Sequence, residues 1–166
     1  MVLEGAVEAS ENAAALLAAF RHKKLPVIHI QHISNHAGAT FFLPDTKGVE
    51  IHGSVAPLSG EAVIKKKYPN SFRQTELLKY LKEHGIGKLV VAGMMTHMCI
   101  DTTTRAAFDL GFNTQLAHDA CATKALSFGG VDTPARHVHN SYIAALDGTF
   151  TEALSAQDII AALATK

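Results

Sequence analysis

Cysteine is scarce in this chain. It occurs only at Cys99 and Cys121, with no CxxC pair, which excludes a disulfide framework and makes a reducing cytoplasm the default compartment. Neither charge is in surplus: Lys plus Arg and Asp plus Glu each number 15. That balance removes the electrostatic case for nucleic acid or an anionic membrane as partner. No apolar run approaches the length of a bilayer span, and the N-terminus lacks the basic and apolar regions of a signal peptide. What is present is 166 residues, 48% of them hydrophobic, enough for one domain over 1–166 with a substantial core. Ten histidines call for a metal-site check.

In chain order, Glu8 to His22 carries Ala14, Leu17 and Phe20 at helical spacing, with Ser10 and Asn12 as candidate caps. Val27 to Ile30 reads as a buried strand. Ile33 to Gly60 is a long irregular stretch, and loops of that length in a domain are usually functional or disordered. Ala62 to Ile64 predicts a short strand, followed by Lys65-Lys66-Lys67. Tyr68-Pro69-Asn70 is a turn. Ser71 with Gln74 fits a capping box for a helix bearing Leu77, Leu78 and Leu81 and ending at Gly85. Asn113 to Ala117 is a further strand and Asp119 to Gly130 a loop. Thr133-Pro134 opens a helix reaching Leu146. Thr149 to Ala153 is the last strand, and Ser155 caps a final helix. Strands alternating with helices predict an α/β fold: a mostly parallel sheet with helices on both faces. Chemistry in such folds gathers at the carboxyl ends of strands, where Lys66, Met94–Cys99 and His118–Asp119 fall.

The stretch Lys88 to Gly111 organises the rest. Leu89 to Ala92 is a run typical of a strand buried on both faces. Gly93 breaks it, and from Cys99 the period turns helical until Gly111, a C-cap position. Cys99 therefore lies at a strand-to-helix junction, at or near the first helical turn. The positive end of a helix dipole favours thiolate there, and nearby N–H groups can face an oxyanion. From position alone, a reactive thiol and a buried structural cysteine both remain open.

Gly93-Met94-Met95-Thr96-x-x-Cys99, with Thr102 or Thr103, Ala106, Gly111 and Asp119-Ala120, resembles the isochorismatase-like cysteine hydrolases, which include nicotinamidases and N-carbamoylsarcosine amidohydrolases. Pro57-x-x-Gly60-Glu61-x-Val63-Ile64-x-Lys66, then Asn70-Ser71-Phe72 and Thr75, matches the same family's lysine segment. The resemblance implies a Rossmann-like three-layer fold and a Cys-Lys-Asp triad, with Cys99 as nucleophile and Lys66 as the lysine. It also implies a cis peptide at Met94–Met95, turning the N–H groups of Met95 and Cys99 into an oxyanion hole. The implied reaction is hydrolysis of a small-molecule amide or related C–N bond through a thioester, without cofactor. Isochorismate-type hydrolysis is one alternative; a binding or scaffold member without activity is another.

One element of the resemblance is missing. The family's triad aspartate ends its first strand in an apolar-Asp-x-Gln/Asn signature, which this chain lacks; Met1 to Gly5 matches the loop that follows that strand. A truncated chain, a misassigned start or a degenerate member would each account for this. Neither Asp45 nor Asp119 takes the role, Asp119 matching a different family position. Because the family's first strand is central, the strands at Val27–Ile30 and Leu89–Ala92 are expected to keep unpaired inner edges.

Other residues are candidates for the pocket. His32 is expected to line it, and Thr96 and His97 to sit beside the nucleophile. Phe41, Phe42, Tyr68, Phe72 and Phe128 are candidate apolar walls, although the core is the better reading for Phe72. Nicotinamidases of the family hold a metal with Asp-x-His and a further His. Here the segment reads His29-Ile30-Gln31-His32, so no metal is expected. His137 and His139 read as surface helix residues. Ala106-Ala107 and Ala144-Ala145 suit close packing, and the resemblance implies a homo-oligomer, a dimer or tetramer.

Overall fold

The computed structural model describes residues 3–34 and 36–165; Met1 and Val2 of the N-terminal pentapeptide, Asn35 of the long loop and Lys166 lie outside. The elements in order are α1 (Ala6–His22), β1 (Ile28–His32), β2 (Ala62–Lys66), α2 (Leu77–Glu83), β3 (Lys88–Met94), α3 (Asp101–Asp109), β4 (Asn113–Ala122), β5 (Leu126–Phe128), β6 (Val131–Thr133), α4 (Ala135–Leu146), β7 (Glu152–Leu154) and α5 (Ala156–Ala164). No described helix is long and apolar enough to cross a membrane.

The strands form two parallel groups. β1 pairs with β2, while β3, β4 and β7 form a separate sheet in that order. Among the described residues no strand joins β1 to β3, so their facing edges are unpaired, as expected at those two strands.

Alternation along β3 sorts its side chains to opposite faces. Val90 packs with Leu16 of α1 and Ile159 of α5, against Ala117 of β4. Leu89 instead meets Leu77 and Leu81 of α2 and Ala107 of α3, a cluster that also takes Ile28 and Ile30 of β1 and Ile64 of β2. Val91 joins Ile100, Leu116 and Leu146. The α2 cluster is thus shared by both sheets.

Several local expectations change. Gly5, with φ 71°, stands at the α1 N-terminus. Ser10 Oγ instead donates to the Val7 carbonyl at 2.7 Å, and Asn12 Nδ2 to the Asp119 carbonyl at 2.9 Å. The Ser71–Gln74 capping box does not form. Glu76 stands at the N-cap position without a side-chain capping bond, and the Thr75 hydroxyl just before it accepts from Leu77 N at 3.3 Å. The predicted loop at 119–130 is partly strand. β4 continues to Ala122 against Gly93 and Met94 of β3, and Gly129 and Gly130 turn the β5–β6 hairpin with φ 59° and 79°. Positive φ at both positions is what a tight hairpin turn requires. Thr133 ends β6 and Pro134 stands at the cap of α4. Ser155 does cap α5, accepting from Asp158 N at 3.0 Å.

Candidate active site

Cys99 stands where β3 hands over to α3. The Met94–Met95 peptide is cis. A π-helical turn over Thr96–Ile100 precedes the α-helix, so Cys99 belongs to this wider turn and not to the first turn of α3. The Met95 carbonyl accepts from Met98 N at 3.0 Å and from Ile100 N at 3.3 Å. Cys99 is half-buried and, with Met94, lines a cleft of about 630 Å³ between the two sheets. Its Sγ lies 3.8 Å from Nδ1 of His32.

His32 and Lys66 arrive from the other sheet. Parallel register sets them opposite one another at the carboxyl ends of β1 and β2, and both line the same cleft. Strand alternation separates the three lysines: Lys65 and Lys67 are exposed, whereas Lys66 is only 4% exposed. Lys66 Nζ donates to the Pro69 carbonyl at 2.6 Å and to Ser71 Oγ at 3.5 Å. Ser71 Oγ and Thr103 Oγ1 of α3 are 3.0 Å apart, which ties the lysine segment to the helix behind Cys99. Among the described residues no carboxylate pairs with Lys66. Burial first, and the Lys66 charge second, hold His32 below the ordinary imidazole pKa. A neutral ring at pH 7 can accept a proton.

Of the other pocket candidates, all but Phe42 lie away from this cleft. Thr96 is fully buried, 3.0 Å from His139 Nδ1; His139, read as a surface residue, is half-buried behind the turn. His97 Nδ1 pairs with Thr123 Oγ1. Phe72 stacks on Phe112 at 5.9 Å in the α2 cluster. Tyr68 carries the Arg73 guanidinium 3.8 Å over its ring. Phe41 is 46% exposed and lies edge-on to Phe42. Phe128 is 93% exposed on the hairpin. Among the candidate aromatics it is Phe42 that reaches the cleft, stacked on His32 at 4.9 Å; Phe20 of α1, not among them, also lines it. Gly48 to His52 join them, brought there as the long loop folds back. Loop irregularity gave no periodic signal that could have singled them out.

The remaining polar candidates have structural duties. His29 Nε2 lies 2.8 Å from Glu61, which also accepts two hydrogen bonds from Arg21 at 2.7 Å. The Arg21 hydrogen bond, foremost, holds the Glu61 carboxyl well below the usual carboxylate range. Asp119 Oδ1 accepts from Ala156 N at 2.7 Å, at the start of α5. Cys121 is buried, its thiol donating to the Ala117 carbonyl at 3.3 Å; burial pushes its pKa to about 12.

Comparison with known proteins agrees with this fold. The isochorismatase domain matches residues 3–139. The uncharacterised isochorismatase family protein YddQ of Bacillus subtilis is 49% identical over 150 residues, covering 90% of this chain and 83% of YddQ. A crystal structure described as an isochorismatase hydrolase from Oleispira antarctica superposes with a TM-score of 0.92 at 49% identity, over 96% of this chain and 84% of that one. A shorter match, 35% identical over 74 residues, covers 45% of this chain and 36% of Nicotinamidase 3 of Arabidopsis thaliana. A parallel α/β framework that brings a thiol, an imidazole and a buried lysine to one cleft, together with a domain match over most of its length, makes this chain a member of the isochorismatase family of hydrolases.

Proposed function

We propose that this chain is a cysteine hydrolase that cleaves a small-molecule amide or related C–N bond through a thioester. The observation that carries the reading is the 3.8 Å approach of Cys99 Sγ to His32 Nδ1 in a cleft shared with Lys66. His32 takes the thiol proton, and the Lys66 cation favours the thiolate so formed. The thiolate adds to the carbonyl carbon, and the N–H groups of Met95 and Cys99 stabilise the oxyanion. The C–N bond breaks as His32 returns its proton to the leaving nitrogen. Water then hydrolyses the thioester, freeing the carboxylic acid and the thiol. The likeness to a nicotinamidase, by its name an amidase, supports the choice of an amide over the vinyl ether of isochorismate.

A second reading, binding without turnover, is favoured by one observation: no described carboxylate pairs with Lys66. Alkylation separates the two. Iodoacetamide is expected to modify Cys99 and spare Cys121. Cys121 is buried and its thiol pKa is pushed up to about 12, so it stays protonated at pH 8. Equally sluggish labelling of both thiols would overturn the hydrolase reading. So would amide turnover that survives Cys99→Ala.

A further inference from the structure

We propose that the cavity between the carboxyl half of β4 and the first turns of α4 is a second binding site, taking a small monocarboxylate whose presence is felt by the turn that carries Cys99. This does not rest on the hydrolase reading.

The cavity exists because β4 outruns its neighbour. β7 pairs only with Gln115, Leu116 and Ala117, while β4 continues to Ala122. Beside that overhang lies a space of about 220 Å³. His118, Asp119 and Cys121 to Thr123 border it on one side. Ala135, Arg136, His139 and Asn140, spaced to share one face of α4, border it on another. Glu4 and Gly5, ahead of α1, complete the rim. None of these residues lines the cleft at Cys99.

Its polar side chains are set out for a ligand and not for one another. Among the described residues, the side chains of His118, Arg136 and Asn140 make no hydrogen bond or ion pair within the chain. His139 uses Nδ1 on Thr96 Oγ1 at 3.0 Å, which leaves Nε2. Burial first, and the His118 charge second, hold His139 below the ordinary imidazole pKa, so the two rings are near enough to feel one another. Among the described residues no three His, Cys, Asp or Glu side chains come together as metal ligands. What the cavity offers is a guanidinium, two imidazoles and an amide, a donor set for an oxyanion.

Charge and size then set the class. Asp119 and Glu4 share the rim, although one Asp119 oxygen is committed to Ala156 N at 2.7 Å. Two carboxylates disfavour a dianion, whereas a monocarboxylate can still take the Arg136 fork in a bidentate pair. A space this small lies below the range that holds drug-sized ligands, so the occupant has few heavy atoms. Two hydrogen bonds connect the cavity to the turn of Cys99. His139 holds Thr96, and Thr123 pairs with Nδ1 of His97. Thr96 and His97 open the π-helical turn that contains Cys99. A ligand that fixes His139 therefore braces that turn from behind.

The test uses the whole chain with acetate as probe, and acetamide and sulfate at matched ionic strength as controls. Acetate is expected to move the NMR ring signals of His118 and His139 along a saturable curve and to slow amide hydrogen exchange over Thr96–Ile100. Acetamide, of the same shape but uncharged, is expected to do neither, and sulfate to bind more weakly than acetate. Arg136→Gln should raise the acetate Kd about tenfold or more. Arg136→Lys should fall between, because the charge stays and the fork is lost. Arg136 is exposed, so both variants are expected to keep the wild-type Tm. Lys66→Met, which alters the other cleft, should leave the titration unchanged. Shifts that rise without a plateau, or a Kd indifferent to Arg136, would mean an adventitious ion only and overturn the site. Tighter binding of sulfate than of acetate overturns the carboxylate assignment. Saturable binding that leaves exchange over Thr96–Ile100 unaltered overturns the link to the turn. None of these readouts involves turnover, so failure here leaves the hydrolase reading standing, and an inert Cys99 leaves the carboxylate site standing.

Discussion

The β3–β4–β7 sheet and the β1–β2 pair are held by different means. The first is buried on both faces: Ala117 against α1 and α5, Leu116 against Ile100 and Leu146. The second shares only the α2 cluster with the rest and is fastened to α1 by a polar clamp, Arg21–Glu61–His29. The site straddles them. Cys99 belongs to the well-packed half and His32 and Lys66 to the other, so on the proposed reaction the geometry of the site depends on how firmly the less buried half is held. Rigid support of catalytic groups is worth orders of magnitude in rate, so the proposed reaction would make the α2 cluster and the clamp functional parts, which substitutions in each can test.

The largest effect is expected at the thiol. Cys99→Ala should lower kcat/KM by about 10³-fold or more, while activity stays near wild type in Cys121→Ala, both read on an amide substrate panel. Next, Leu81→Ala removes a fully buried side chain from the cluster the two halves share. Denaturant unfolding should show a loss of about 3–4 kcal/mol, and activity should fall with it; unchanged activity would mean the halves are positioned without α2.

His32→Gln should reduce kcat/KM by about 10²-fold. The pH profile carries the sharper sign. Because His32 is held below its ordinary value, the neutral, proton-accepting form persists through pH 6.5, and wild-type activity falls only on further acidification. That acid limb should vanish in the variant. Glu61→Gln should lower Tm at pH 7 by loosening the clamp. The folded Glu61 carboxyl is depressed below its ordinary 4.5, so its stabilisation is fully present above that pH and is lost as pH falls through the folded value. The gap between wild type and variant should therefore close only in strong acid. Smallest is Cys121→Ala, expected to cost about 1 kcal/mol of stability and nothing in activity.

Much of this was legible in residue order. Leu89 to Ala92 is legible as a strand from its uninterrupted apolar run, although the structure leaves Leu89 to Val91 half-buried and Ala92 exposed, and alternation around Lys65-Lys66-Lys67 turns only the middle lysine inward. The motif around Cys99 located the junction. The pocket walls were harder to read. Tyr68, Phe72, Thr96 and His97 are near the site in sequence, but each is engaged elsewhere by Arg73, Phe112, His139 or Thr123, and local patterning carries no information about such distant partners. Phe42 and Gly48–His52 enter the cleft from an irregular loop with no period to read.

Periodicity alone determined the α/β class and the parallel strands, because these follow from local preferences and short-range order, while the choice of Cys99 and Lys66 as candidates came from the family resemblance of their motifs. Only the tertiary structure decided that His32 reaches the thiol, that His139 supports the turn, and that the two sheets face each other across an apolar cleft. Those facts depend on which distant surfaces pack together, and packing is a property of the whole chain.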